Sequence, residues 1–347
     1  MSLQFAASLP SEQTAVIEFL RATFRADLEL LSFRPDVFQW KYFSDHPDWH
    51  RDRSYVLRNE DGIVAHGGVW PLRLKKPGAD VDAIHLIDWA ASRTVVGSGL
   101  LLLKNVSAIT NVLLTIGGSS DTRSILTKIG YRQVGEVKLH ARVVRPWLQY
   151  RNTPHFNWKA PLRLLRNASW SLATLPASPR DWEVTRISQF DSSLESILNG
   201  TAVDFFTSQR TIAGLNRMLS CPAVVFSAFV LHHSKRPCGY FLLAQVGKQT
   251  RIVDLRVDRN DAPTWMVACS LATLTAAKLP ETAEIVAGFS IDVMNEAFAQ
   301  TGFRPRGSLP VYCYDPKKVL GNEPILDLSM LDGDLCFISD AQNPFWT

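Results

Sequence analysis

Two glycines and one aspartate are the residues in this sequence whose types and spacing could do chemistry. Gly97 and Gly99 stand immediately before the apolar run Leu100–Leu103, which opens a predicted helix. Glycine lets backbone N–H groups approach a ligand closely, and the first amides of a helix carry partial positive charge without an internal acceptor. The pattern therefore predicts a cradle for a phosphate group. Its alternative is a glycine-rich turn that lets a helix and a strand pack.

Asp88 lies in the apolar run Val81–Trp89, which predicts a β-strand just before that loop. A charged side chain in such a strand is costly unless it is paired or functional. Asp88 is therefore a candidate general base, and its alternative role is a structural partner for a nearby arginine or backbone amide. Asp254 occurs in a parallel place where no glycine cradle follows, which favours the structural role.

Composition narrows the class of protein. The chain has 347 residues, of which 46% are hydrophobic and 20% charged, so we expect a globular protein with two domains or one large one. A net charge of +4 is not the basic footprint of a nucleic-acid-binding protein. The five cysteines form no C-x-x-C pair and the eight histidines no H-E-x-x-H motif, which argues against a disulfide framework and a metal site.

Targeting signals are not evident in the sequence. Met1–Gln13 does not have the pattern of a signal peptide, and no run of about 20 apolar residues predicts a membrane span. The sequence therefore predicts a cytoplasmic protein.

The predicted helices and strands that must position the candidate residues occur twice along the chain. A helix is predicted over residues 12–30 and a second helical stretch over Pro35–Ser44, followed by strands, the glycine loop with its helix, and a further strand, helix and strand. The run Gly117–Asp121, followed by Gly130-Tyr131, reappears as Gly288–Asp292, followed by Gly302-Phe303. The offset is about 170 residues, so two units of similar topology follow one another.

This order of elements resembles the GNAT superfamily of acyl-CoA-dependent N-acyltransferases, over residues 12–145 closely and over 182–315 more loosely. In that family a loop of pattern Q/R-x-x-G-x-G/A joins the fourth strand to a helix. Here Thr94-Val95-Val96-Gly97-Ser98-Gly99 takes its place, with Thr94 instead of Gln or Arg. The implied fold class is α+β, with two tandem units, each a mixed, mostly antiparallel sheet flanked by helices. The strand ending near Trp89 should splay from the strand Val112–Ile116.

The resemblance also implies a division of labour between the units. Residues 1–145 would bind acetyl-CoA or a related acyl-CoA, 146–180 would be a connector, and 181–347 a second domain without its own cofactor site. Pro263 has no N–H to donate, and Asp258 and Asp261 would repel phosphate where the second cradle should be. The implied cofactor-binding residues are Trp89, Ala90, Ala91, Thr94, Val95, Val96, Gly97, Ser98, Gly99, Leu100 and Ser119.

The resemblance implies a candidate for the catalytic base but leaves the catalytic acid without its usual residue. Asp88 stands where the family often has its base. The family's usual tyrosine acid is replaced by Leu126, and by Phe298 in the second unit, so Tyr131, Ser124 or a water would substitute, and Tyr131 is taken as the candidate acid. Ser119 stands where the family often holds the cofactor arm with Asn, and it is also a plausible helix N-cap.

The implied function is transfer of an acyl group, typically acetyl, to a primary amine of a small molecule such as an amino sugar or amino acid. Similar tandem arrangements look like bacterial enzymes that modify such compounds. Two alternatives are a non-catalytic binding or scaffold protein and an aminoacyl-tRNA-dependent peptidyl transferase, which would need a more basic channel than +4 suggests. No nucleic-acid partner is expected, and the oligomeric state is not predicted.

The connector and the strands beside the cleft leave further alternatives open. Trp147, Trp158 and Trp170 stand among arginines and lysines around one predicted helix, Leu162–Leu175. This stretch is interpreted as an aromatic surface packed between two domains, and its alternative is a basic amphipathic helix on a membrane surface. His66, His85 and Trp70 lie on strands flanking the cleft and either pack there or line an acceptor pocket.

Overall fold

The computed structural model describes residues 2–25, 30–154, 158–174, 179–198, 204–340 and 342–347. The first half of the chain contains β1 (Gln4–Ala7), α1 (Gln13–Phe24), α2 (Pro35–Phe38), β2 (Ser54–Asn59), β3 (Gly62–Lys76), β4 (Ala79–Ala91), α3 (Ser98–Val106), β5 (Val112–Ile116), α4 (Ser120–Lys128) and β6 (Arg132–Val143). A π-helical turn, Gln39–Phe43, continues α2. The predicted helix over 12–30 is α1, and residues 26–29 of that prediction lie outside the described residues.

The connector contributes α5 (Pro146–Arg151) and α6 (Ala160–Ser171). The second half contains β7 (Trp182–Ile187), α7 (Glu195–Leu198), β8 (Phe206–Ser208), α8 (Ile212–Leu219), β9 (Val225–His233), β10 (Arg236–Val246), β11 (Gln249–Val257), α9 (Ala262–Lys278), β12 (Glu284–Phe289), α10 (Asp292–Gln300), β13 (Arg304–Tyr314) and β14 (Leu326–Asp327). The predicted connector helix is α6, although Leu175, where that prediction ends, lies outside the described residues. None of the helices described is both long and apolar enough to cross a membrane.

The fold class is α+β, as predicted, with mostly antiparallel pairing in both units. The strands of the two units join in one sheet, in the order β1-β2-β3-β4-β5-β13-β6-β12-β11-β10-β9-β7. The two units exchange their last long strands, because β13 pairs with β5 and β6 pairs with β12. The exchange was not predicted, since the sequence patterns identify strands but not the partners they choose.

The predicted splay between the fourth and fifth strands is confirmed. β4 and β5 run parallel and pair only at Ala83, Ile84 and His85. Beyond His85 the two strands separate, while β4 remains paired to β3 as far as Ala91 with Ala65. The separation leaves an opening between β4 and β5 on the side of the glycine loop.

Apolar side chains fill both faces of the sheet. One cluster packs α3 and α4 on the first unit, and a second packs α9 and α10 on the second unit. The third and largest cluster covers the opposite face of both units and includes α1, α2, α8 and the C-terminal segment, which we define as residues 326–338. One continuous core therefore holds the two units together.

Buried ion pairs fasten the C-terminal segment to the second unit. Arg210 lies between Asp254 of β11, 3.1 Å from its Nε, and Asp332 of the C-terminal segment, 2.6 Å from its Nη1. Ser208 donates a further hydrogen bond to Asp332 at 2.5 Å, and Tyr240 donates one to Asp254 at 2.7 Å. Both carboxylates are buried, so each depends on a buried cation for its charge balance. Asp332 pairs with Arg210, and Asp254 pairs with Arg210 and, at 3.9 Å, with Arg256.

Replacing Arg210 with alanine should remove about 4 kcal/mol from the free energy of unfolding, because the buried Asp332 would lose its cation and Asp254 the nearer of its two. Chemical denaturation followed by circular dichroism measures this loss. The matched control is Arg73→Ala, which breaks an exposed pair with Asp80 and should cost about 0–1 kcal/mol. Equal losses in the two variants would contradict a special role for the buried cation.

The buried carboxyl of Asp254 leads to a separate prediction about the stability of the protein at low pH. Burial raises the pKa of this carboxyl, but Arg210 and Arg256 outweigh burial and lower the pKa to about 2, against an ordinary value of 3.8. A lowered folded-state pKa adds stability that is complete above the unfolded pKa and is lost as the pH falls toward the folded pKa. We expect the urea midpoint to fall between about pH 4 and pH 2, and to fall less steeply in Asp254→Asn. Parallel pH profiles for the two proteins would show that another group is responsible.

Candidate functional site

A cleft of about 430 Å³ occupies the opening between β4 and β5. Residues from both strands and from the C-terminal segment line it, among them Asp88, Trp89, Thr115, Ser119 and Asp334. The cleft therefore brings together four residues singled out from the sequence, namely His85, Asp88, Trp89 and Ser119. Among the described residues, no group of His, Cys, Asp or Glu side chains is placed to hold a metal ion.

A β-bulge shapes the wall of the cleft at Asp88. The register between β3 and β4 shifts between His66 and Gly68, so that Asp88 and Trp89 together face Gly67. Asp88 has a left-handed backbone, with φ of 47°. The buried His66 stabilises the bulge, because its Nδ1–H donates to the Asp88 carbonyl at 2.9 Å while Nε2 contacts the Ser54 hydroxyl at 3.0 Å. A bulge leaves one residue out of the ladder, which here frees backbone next to the cleft.

The Asp88 carboxylate is held by two buried neighbours from the turn after α2. Lys41 donates to its Oδ2 at 2.7 Å and Tyr42 donates to the same oxygen at 2.5 Å. Burial raises the pKa of Asp88, but the Lys41 ammonium outweighs burial and holds the pKa below its ordinary value. Asp88 therefore does have the structural partner that the sequence left open as an alternative, and that partner is a lysine instead of an arginine.

Asp334 gives Lys41 a second carboxylate. It accepts a hydrogen bond from the Lys41 Nζ at 2.9 Å and lines the same cleft. Burial lowers the pKa of Lys41, but the two carboxylates outweigh burial and raise it, so the lysine is charged. One cation between two carboxylates leaves a net negative charge beside the cleft, which suits a positively charged ligand group.

Lys41 and Asp334 were missed by the sequence analysis. Lys41 stands in the aromatic run Gln39–Phe43, where a charged residue among buried neighbours carries the same signal that singled out Asp88. Asp334 had no such signal, because its segment contains several aspartates and its place against the first unit depends on the tertiary fold.

The glycine loop begins α3 as the phosphate-cradle prediction requires. Gly97 is the N-cap, with φ of 84°, and a Cβ built on it would meet no atom within 4 Å. The open space lies in front of the helix N-terminus, where the amides of Gly99 and Leu100 have no intrahelical acceptor. Trp89 joins this loop to the cleft, because its indole N–H donates to the Gly99 carbonyl at 3.3 Å.

Other predicted cofactor residues support the loop instead of facing the cleft. The Thr94 hydroxyl bonds to the Ser92 hydroxyl at 2.8 Å, and the amide of Ser98 donates to the Val95 carbonyl at 3.2 Å. Val96 and Leu100 are exposed at the surface of the loop. Ala90 is buried, and the Cβ of Ala91 lies 3.0 Å from where a Gly99 side chain would begin. Close packing against Ala91 therefore favours glycine at position 99.

Ser119 is the N-cap of α4, as one interpretation of the sequence suggested, and it also lines the cleft. Its hydroxyl accepts from the Thr122 amide at 3.2 Å and so caps α4. Ser119 follows the end of β5 by three residues and lines the cleft together with Trp89. The N-cap role does not remove it from the reach of a ligand in the cleft.

Tyr131 is not among the residues that line the cleft. Its ring packs 5.2 Å from that of Tyr314, in the cluster beneath α3 and α4. Burial raises the pKa of its hydroxyl. The candidate acid is therefore placed away from Asp88, because the turn that follows α4 directs its side chain into the core.

The histidine and tryptophan candidates have different surroundings. His85 is fixed by both ring nitrogens, since Nδ1 contacts the Asp332 carbonyl at 2.9 Å and Nε2 accepts from the Ile116 amide at 3.1 Å. Trp70 lines a second cavity of about 410 Å³ together with Arg217. Residues 329–334 of the C-terminal segment form a wall shared by this cavity and the cleft.

The corresponding opening in the second unit is filled by the chain itself. Ser329 forms a β-bridge with Phe289 at the end of β12 and donates to Asp254 of β11 at 3.0 Å. At the start of α9, the Asp261 carboxylate accepts from the Thr264 amide at 2.8 Å, and Pro263 occupies the first turn. An internal carboxylate thus stands where an anion would bind in the first unit.

No protein-family model matches the sequence, and no curated protein sequence matches it. Solved structures do match. A probable N-acyltransferase of Enterococcus faecalis superposes with a TM-score of 0.60 at 12% identity, covering 92% of this chain and 74% of that one. The N-myristoyltransferase of Saccharomyces cerevisiae with bound myristoyl-CoA gives a TM-score of 0.61 at 14% identity, covering 90% and 83%.

A tandem GNAT protein from the clavulanic acid biosynthesis pathway is similar over nearly its whole length. The TM-score is 0.56 at 10% identity, and the match covers 90% of this chain and 98% of that one. At such identities the similarity concerns the fold. Together with the repeated order of elements and the splayed strands, it shows that this chain is a tandem protein of the GNAT fold.

Proposed function

We propose that this protein is an acyl-CoA-dependent N-acyltransferase that works through its first unit. The observation that carries the proposal is the opening between β4 and β5, which lies beside a bulged strand and a helix that begins at Gly97. A pantetheine arm needs a slot through the sheet, and a pyrophosphate needs free amides at its end. The cleft and the N-terminus of α3 supply both next to each other.

The acyl donor in this proposal is acetyl-CoA or a related acyl-CoA. Its pyrophosphate would lie on the free amides of the loop Val95–Leu100, those of Gly99 and Leu100 among them, where the open space around the Cβ position of Gly97 leaves room for it. Its thioester would lie near Asp88 and Trp89, where backbone N–H groups freed by the bulge could donate to the carbonyl oxygen. Ser119 would contact the arm from the opposite strand.

The acceptor in this proposal is a primary amine of a small molecule such as an amino sugar or amino acid. The net negative charge of Lys41 with Asp88 and Asp334 favours an ammonium group in the cleft and stabilises the positive charge that develops on the attacking nitrogen. Asp88 would take up the proton of the amine. The lowered pKa makes it a weak base, so its electrostatic contribution is expected to exceed its contribution as a proton acceptor.

A second candidate function is binding of the cofactor without catalysis. The observation that favours it is that the Asp88 carboxylate already accepts two hydrogen bonds, while Tyr131 lies outside the cleft lining. A protein of this kind would bind acetyl-CoA and release no thiol with any amine. Thiol release against a panel of amines distinguishes the two functions.

Gly97→Val should weaken acetyl-CoA binding by at least about tenfold, because the new side chain would enter the space before the helix amides. Calorimetric titration measures the affinity and should give one cofactor per chain for the native protein. The matched control is Gly78→Val, since Gly78 also has a left-handed backbone and open space around its Cβ position but lies in the β3–β4 turn. Both variants should lose similar stability, and only Gly97→Val should lose affinity. Unchanged affinity in Gly97→Val, or two equivalent sites per chain, would place the phosphate elsewhere.

Asp88→Asn should lower kcat by about 10²-fold or more while acetyl-CoA affinity changes little, because the negative charge facing the amine is reduced. Steady-state thiol release gives kcat and KM. The counterpart Asp254→Asn is the control, since Asp254 is buried beneath the filled opening and contacts Arg210 and Ser329. It should lower stability and leave kcat nearly unchanged below its melting temperature. A similar loss of kcat in both folded variants would contradict the division of labour between the units.

A further inference from the structure

The connector between the units has a charge distribution unlike that of the rest of the chain. From Val137 to Arg180 the sequence contains eight Lys and Arg residues and no Asp or Glu. The whole chain has a net charge of only +4, so the remainder is net negative. The positive charge of this protein is therefore concentrated around α5 and α6.

An apolar stripe runs along the outer side of α6. Trp158, Leu162, Leu165 and Leu172 are 78%, 58%, 67% and 83% exposed. Leu162 and Leu165 lie on one face of α6, Trp158 lies in the turn before the helix, and Leu172 is its C-cap. The spacings of four, three and seven residues continue that face beyond both ends of the helix. We call these four residues the outer stripe.

The opposite side of α6 is the one that packs on the protein. Ala160 and Asn167 are buried there, and the Asn167 amide donates to Gln149 of α5 at 2.7 Å. The outer stripe therefore points away from both units. The interpretation that these aromatic and apolar residues pack between two domains does not hold for Trp158 or for Trp147 of α5, which is 61% exposed.

Arginines flank the outer stripe along one side. Arg163 and Arg166 lie about one turn apart on α6, on the side of the helix between the outer stripe and the packed face, and both are exposed. Arg166, Arg304 and Arg306 surround the ring of Trp170, at 4.3, 5.8 and 4.8 Å from the ring centre. Three guanidinium groups around one ring, one from α6 and two from β13, form a strongly positive surface.

We propose that α5 and α6 dock this protein on the surface of an anionic lipid membrane. The outer stripe would enter the boundary between headgroups and acyl chains, and the arginines would contact lipid phosphates. A helix with exposed Trp and Leu on one face and basic residues beside it is the form that binds in the plane of a membrane interface. Several basic residues near the surface add the electrostatic attraction that makes such binding stable. The proposal is independent of the acyltransferase activity.

Charge and hydrophobicity together favour a membrane over other occupants. A nucleic acid would match the arginines but not three leucines that face solvent. A second copy of this chain would bring the same positive surface against itself, which is unfavourable. An anionic bilayer matches both the apolar stripe and the basic flank.

Vesicle flotation of the full chain tests the proposal. We expect the protein to float with vesicles of phosphatidylcholine containing about 30% phosphatidylserine, and to stay largely unbound with phosphatidylcholine alone. Raising the salt from about 50 mM to about 500 mM should release most of it, because the attraction to the lipid phosphates is screened. Failure to float with the anionic vesicles overturns the proposal.

A pair of apolar variants tests the outer stripe. Leu162→Ser with Leu165→Ser should weaken binding to the anionic vesicles by at least about tenfold and leave the circular dichroism spectrum unchanged. The control is Val225→Ser with Ile325→Ser, which removes two similarly exposed apolar side chains from elsewhere on the surface. An equal loss in the control, or no loss in the stripe variant, overturns the proposal.

Two double variants that lower the net charge of the protein by the same amount test the basic flank. Arg163→Glu with Arg166→Glu should abolish binding to anionic vesicles, whereas Arg236→Glu with Arg259→Glu, on exposed turns of the second unit, should retain most of it. Equal effects would show that only net charge matters and would overturn the proposal.

Light scattering tests whether the outer stripe binds a second copy of the chain instead of a membrane. A native dimer that dissociates in the Leu162→Ser, Leu165→Ser variant would make the stripe a self-association surface and would overturn the proposal.

Discussion

Buried cations, each held between two carboxylates, are the interactions on which the arrangement of this molecule depends. Lys41 lies between Asp88 of β4 and Asp334 of the C-terminal segment, and Arg210 has the matching position in the second unit. A buried charge that loses its partner is far more costly than an exposed one. The two cations therefore hold the C-terminal segment against both units, and that segment forms one wall of the cleft.

The two units share one architecture but differ in whether the space between two diverging strands is open or filled. In the first unit the opening between β4 and β5 stays free and leads to a helix N-terminus with open space before it. In the second unit Ser329 bridges β11 and β12, and Asp261 caps the helix. One cofactor site per chain is the expected consequence. Exchange of β6 and β13 makes the two units one sheet, so the filled unit supports the open one.

Local chemistry allowed part of the site to be predicted. Gly97 and Gly99 could be found because a G-x-G pattern stands directly before an apolar run, and glycine lets backbone amides approach a phosphate closely. Asp88 could be found because a charge in an apolar strand needs a partner or a function. Its partner could not be identified, since Lys41 is 47 residues away and reaches it only through the packing of the turn after α2.

Residue patterns by themselves determined the repeat of two units and the glycine at the start of α3, because these depend on periodicity and on the backbone needs of single residues. The α+β class and the splay of the fourth strand from the fifth came from the resemblance to the GNAT superfamily, and only the structure places the separation after His85. Only the tertiary structure decided which strands the units exchange, which opening the C-terminal segment fills and where Tyr131 points. Strand partners and buried ion pairs join residues that are far apart in the chain. Their energies arise from burial and from desolvated charge, and neither quantity exists until the chain has folded.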